Sequence, residues 1–120
     1  MRLATAALLS LALFGCTDLR HCDLMKRLDS LSPDGQHIAV VFEMCCYDTT
    51  GYYPHVSLLR PGQKLGDTGN VLQGGPGDEF SAAWTAGKNL LVQYHIDGEW
   101  VRYPPGTTNI DGVTVTFHRR

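Results

Sequence analysis

The sequence predicts an all-β fold: one small antiparallel sheet or sandwich-like domain of about six to eight short strands, following a cleaved leader. Three observations carry that expectation. Turn signals recur at close intervals, in Ser32-Pro33-Asp34-Gly35, Pro61-Gly62, Ala86-Gly87-Lys88, Asp97-Gly98 and Asp111-Gly112. Between them lie short runs of β-branched and aromatic residues. No internal stretch long enough for a helix shows a sustained helical period, one segment near the N-terminus excepted.

The segment MRLATAALLSLALFGC, residues 1–16, is distinct from the rest. Arg2 precedes an apolar run of 13 residues, Leu3 to Gly15. A bilayer-spanning helix needs about 20 apolar residues, so this run is too short to span and has the form of a signal peptide. An ordinary cleavage site wants a small residue at −3, but Leu13 holds that place before Cys16. Leu13-Phe14-Gly15-Cys16 resembles the lipobox of bacterial lipoproteins. The resemblance implies cleavage before Cys16, diacylglycerol on the Cys16 thiol and a further acyl chain, such as palmitate, on its amino group. Each buried methylene contributes about 0.8 kcal/mol, so two or three chains anchor stably where one does not. The resemblance implies the cell membrane or the outer membrane, with Thr17 after Cys16 favouring the outer one where the organism has one, and the domain facing the periplasm or the cell exterior. The expected organisation is a leader over 1–15, a lipidated tether over 16–21 and a β domain over 22–120.

Removing the leader from 120 residues leaves 105, enough for one domain and too few for a closed propeller or a barrel enzyme. Hydrophobic residues at 43% and charged residues at 18% indicate a globular chain. The formal charge is −2, and −3 once Arg2 is removed, so no basic field invites nucleic acid.

Export places the chain in an oxidising compartment. With Cys16 lipidated, Cys22, Cys45 and Cys46 remain, an odd number. The Ser32–Gln36 turn has Pro in its second place and Gly where a left-handed residue is needed, which predicts a three-residue hairpin loop with Ser32 opposite Gln36. Every cross-strand pair then has numbers totalling 68. Ser30 meets Ile38, Leu28 meets Val40, Lys26 meets Phe42, Leu24 meets Met44 and Cys22 meets Cys46, on a mostly apolar face. The other face, with Asp23, Met25, Arg27, Asp29 and Leu31 against Cys45, Glu43, Val41, Ala39 and His37 in that order, is mostly polar. A one-residue slip would undo this sorting. The register predicts a Cys22–Cys46 disulfide and leaves Cys45 as a free thiol on the wetter face. Closing a 25-residue loop is worth about 3.5 kcal/mol in the chain-entropy model. The competing possibility is a helix over 19–28, where Leu19, Cys22, Met25 and Leu28 recur near helical spacing.

Further along, Ile38–Cys45 is the strongest strand signal, and Val56–Leu59 is a second, shorter one. Pro61 to Glu79 holds six glycines and two prolines in 19 residues, which predicts a long loop with a short edge strand at Asn70–Gln73. Phe80–Trp84 and Asn89–Tyr94 form an expected hairpin, Glu99–Tyr103 a further strand. In the last strand Val113, Val115 and Phe117 alternate with Thr114, Thr116 and His118.

Leu31 to Phe42 resembles the opening hairpin of the WD40-like repeats of the TolB propeller, and Ala83 to Leu91 is a weaker echo; this likeness covers turn chemistry only. The mature chain also resembles a group of small bacterial exported proteins, with no assigned activity, in the order of its motifs. These are Cys22, Ser32–Gly35, Ala39–Glu43, Cys46, Thr49-Thr50-Gly51, Val56-Ser57, Trp84, Leu90–Tyr94 and Gly112–Val115. It departs from that group at Cys45 and at Tyr47-Asp48. The group's two cysteines correspond to Cys22 and Cys46, which implies the same disulfide.

No catalytic motif is present, and neither an enzyme nor a cofactor is expected. The chemical alternative is a metal-binding or thiol-redox site built from Cys45, Cys46 and His55, with His21 nearby. Lesser candidates are His95, Asp97 and Glu99 as an acid–base or cation cluster, and Tyr47, Tyr52, Tyr53 and His55 as a binding surface. The preferred expectation is a non-enzymatic structural or interaction module of the cell envelope, held at the membrane by lipid.

Overall fold

The computed structural model describes residues 22–46, 52–96 and 106–120. Eight strands lie within them: β1 (Cys22–Leu31), β2 (Ile38–Cys46), β3 (Tyr53–Leu59), β4 (Leu72–Gln73), β5 (Glu79–Ala86), β6 (Asn89–His95), β7 (Gly106–Ile110) and β8 (Val113–Arg119). They form two four-stranded sheets, in the orders β1-β2-β3-β4 and β5-β6-β8-β7. The expected all-β fold is what the chain adopts, and residues 22–28 are strand rather than helix. All pairings are antiparallel except β6 with β8, which is parallel.

The first hairpin differs from expectation at its turn. The Ser32 N–H donates to the His37 carbonyl at 2.8 Å, so the loop holds four residues, Pro33 to Gln36, not three. Side-chain chemistry accounts for the wider loop. The Ser32 hydroxyl accepts from the His37 N–H at 3.1 Å and donates to Asp34 Oδ1 at 2.6 Å. Asp34 Oδ1 also accepts from the Gln36 N–H at 3.1 Å. Gly35, at φ 73°, takes the left-handed place assigned to it. Ser30 therefore meets Ala39 and Leu28 meets Val41, one step from the expected pairs. A bulge between Leu24 and Lys26 then restores the expected register, so Leu24 meets Met44 and Cys22 meets Cys46.

The face assignment of β2 is also corrected. Ala39, Val56, Leu58 and Leu72 of the first sheet pack against Leu90, Val92, Val113, Val115 and Phe117 of the second, forming the inter-sheet core. Ala39 belongs to the face expected to be polar. The face bearing Val40, Phe42 and Met44 points away from the second sheet, yet these residues are buried too. A loop over 60–71 covers them, with Leu65 packed on that smaller cluster. β2 is thus apolar on both sides because each side has a cover, and alternation alone does not say which cover is the second sheet.

Elsewhere the alternation in β8 is as expected, with Val113, Val115 and Phe117 inside. The expected edge strand at Asn70–Gln73 is the two-residue β4. β7, with the polar sequence GTTNI, was not anticipated; the expected Glu99–Tyr103 strand lies outside the described residues. The two sheets are also joined by polar contacts. The Trp84 indole N–H donates to the Ser30 carbonyl at 2.9 Å.

Candidate functional site

The ladder of the first hairpin sets Cys22 opposite Cys46 and Asp23 opposite Cys45. Successive side chains alternate faces, so Cys45 lies on the inter-sheet side and Cys22 on the loop-covered side. Cys22 accordingly packs on the Val40–Phe42–Met44 cluster. Cys45 is only 2% exposed. This corrects the expectation that Cys45 lies on a wet face: that face is the one turned toward the second sheet.

His55 sits on the opposite side of the sheet from Cys45, beside Phe42. Its ring stacks on Phe42 with centroids 5.0 Å apart and planes 16° from parallel. The Gly69 N–H donates to His55 Nδ1 at 3.1 Å, so Nδ1 carries a lone pair and the proton of the neutral ring is on Nε2. Burial pushes its pKa below the ordinary histidine value. The structure therefore does not bring His55 and Cys45 together as ligands, and no group of three metal-competent side chains occurs among the described residues.

Around His55 the covering loop is built with close tolerances. The side chain of Asn70 serves both backbone groups of Leu58, accepting from its N–H at 2.7 Å and donating to its carbonyl at 2.9 Å. The Asn70 N–H donates to the Ser57 hydroxyl at 3.1 Å. Between this loop and β1 runs an open groove of about 420 Å³. Leu24, Met44 and Leu65 supply its apolar lining, and Arg27, Lys64 and Asp67 its charges.

A third cluster was invisible in the sequence. Asp111, in the β7–β8 turn, accepts from His37 Nε2 at 2.9 Å and from Arg60 at 2.8 Å (Nε) and 2.6 Å (Nη2). The Arg60 guanidinium, and then His37, hold its carboxyl well below the usual carboxylate range. His37 Nδ1 is buried with no hydrogen-bond partner. Asp111 has φ 51°, the one positive value outside glycine among the described residues. The cluster joins the turn end of the first sheet to the turn end of the second. His37 and Arg60 stand 74 and 51 residues from Asp111, and only the Asp111-Gly112 turn signal was available to find it.

Of the remaining candidates, Tyr52 is exposed and Tyr53 half-buried at the start of β3. His95 is exposed at the end of β6, opposite Glu79. Cys16, His21, Tyr47, Asp97 and Glu99 lie outside the described residues. No family model, curated protein or solved structure matches the chain. No helix among the described residues is long and apolar enough to cross a membrane.

Proposed function

We propose that this chain is a lipid-anchored protein of the bacterial cell envelope, with the β domain acting as a non-enzymatic structural or interaction module. The observation that carries the reading is the sequence Leu13-Phe14-Gly15-Cys16 closing an apolar run of 13 residues. Residues 17–21 then separate the anchored cysteine from β1. Six residue steps reach at most about 20 Å, so the Cys22 end of the first hairpin would stay close to the bilayer. A disulfide between Cys22 and Cys46 would staple that end. Its support is their direct opposition in the ladder.

The proposal is tested by fractionating cells that make the wild-type chain or Cys16→Ser. The wild type should sediment with membranes and be released by detergent. Cys16→Ser should lose the acyl chains and the membrane association. A wild-type chain that is soluble without detergent overturns the reading.

A further inference from the structure

β1 ends the first sheet, and among the described residues no strand pairs with its outer edge. It is ten residues long and carries the exposed apolar side chains Leu24, Met25, Leu28 and Leu31, with Leu28 65% exposed. Such an edge is a template for another strand. The charges on β1 say which strand fits it. Arg27 and Asp29 share one face, two residues apart, and already hold each other at 2.7 Å (Nε–Oδ1) and 3.0 Å (Nη2–Oδ2). Leu28 lies between them on the other face.

We infer that β1 pairs antiparallel with β1 of a second copy of this chain, about a two-fold axis through Leu28. Backbone geometry restricts the register. Ser32 bonds to His37 across the hairpin, so by alternation Ser30 and Leu28 also turn their backbone groups toward β2. Arg27, Asp29 and Leu31 turn theirs outward. Only registers that set outward residue against outward residue can form bonds. Centring on Leu28 places Arg27 opposite Asp29 of the other copy and Asp29 opposite its Arg27. The two ion pairs then close into a ring of four alternating charges. Centring on Arg27 or on Asp29 instead opposes two identical charges, which is destabilising. In the Leu28 register Lys26 meets Ser30, and Leu31 lies against the Leu24–Met25 step of the other copy. The bulge at that step ends the pairing, and with Lys26 it discourages other strands.

The inference names a partner for the interaction module proposed above. It rests on the edge of β1 that no described strand pairs, and not on the lipid, so the two readings fail separately. Leu28 is exposed, and its replacement leaves both cores intact. In membranes from cells making the full chain, mild oxidation of Leu28→Cys should give a disulfide-linked dimer, because the two side chains face each other across a pair about 4.5 Å apart at Cα. Leu31→Cys, equally exposed, should not cross-link to itself. With the purified full chain in detergent, Arg27→Glu or Asp29→Arg alone should weaken self-association about tenfold or more, by turning attractive pairs into repulsive ones. The double charge swap should restore it. Equal cross-linking at both positions, a Leu28→Cys chain that captures another protein and not itself, or a double swap no better than the singles overturns the inference.

Discussion

His37 and Asp111, 74 residues apart in sequence, join the two sheets at their turn ends, with Nε2 2.9 Å from Oδ2. Arg60 completes the contact with a two-pronged grip on the same carboxylate. The Asp111 carboxyl titrates below its ordinary range in the folded chain because both partners favour the charged form. Its contribution to stability is therefore complete above the unfolded carboxylate pKa, about 4, and is lost as pH falls below that. Asp111→Asn keeps a side chain that tolerates positive φ and removes only the charge. Thermal melts from pH 7 to pH 2 should show the wild type above Asp111→Asn at neutral pH, with the gap closing in acid. A gap that is the same at both ends would show that the ion pair contributes nothing.

Gly69 and Asn70 hold the covering loop on the first sheet. A Cβ on Gly69 would stand 2.6 Å from the carbonyl oxygens of Leu72 and Val56, backbone atoms that cannot move aside cheaply. Gly69→Ala should destabilise by roughly 1–3 kcal/mol, as overpacking does. Gly87→Ala, with open space around it, should stay within about 0.5 kcal/mol of wild type. Urea unfolding distinguishes the two.

Asn70→Ala leaves the N–H and carbonyl of buried Leu58 without their partners. The expected cost is about 1–3 kcal/mol. Asn70→Asp keeps the acceptor for Leu58 N–H and loses the donor to its carbonyl, so it should not restore full stability. Denaturant midpoints at neutral pH check both.

His55 gives the domain a second pH dependence, of the same sign as that of Asp111 but at higher pH. Burial depresses the pKa of the folded ring, while the unfolded ring takes its proton near the ordinary value of 6.5. As pH falls through that value the unfolded state gains a proton that the folded state refuses, and stability declines. His55→Gln should flatten the dependence of the urea midpoint between pH 7 and pH 5. An unchanged slope would exclude His55 as its source.

The elements that were legible in the sequence are those whose signal is local. Gly35 needs a left-handed conformation, and β8 alternates Val113, Val115 and Phe117 with polar neighbours. The register at Cys22 and Cys46 was also anticipated, but by compensation: a four-residue turn shifted the pairing one step, and the bulge at Met25 shifted it back. The side of β2 that meets the second sheet was misjudged, because Leu65 and the loop over 60–71 bury the alternative face just as completely. β7 escaped notice since Thr107, Thr108 and Asn109 carry no apolar pattern; its identity comes from pairing with β8. The Asp111 cluster depends wholly on tertiary placement, which neighbours in sequence do not encode.

The central claim is the lipid anchor, and an intact mass of the protein extracted from its own membranes, denatured without reductant, tests it most directly. The account predicts a chain beginning at Cys16 and carrying two or three acyl chains. An uncleaved leader, a chain without acyl mass, or Cys16 found in a disulfide would contradict it, since one sulfur cannot hold both a thioether and a disulfide.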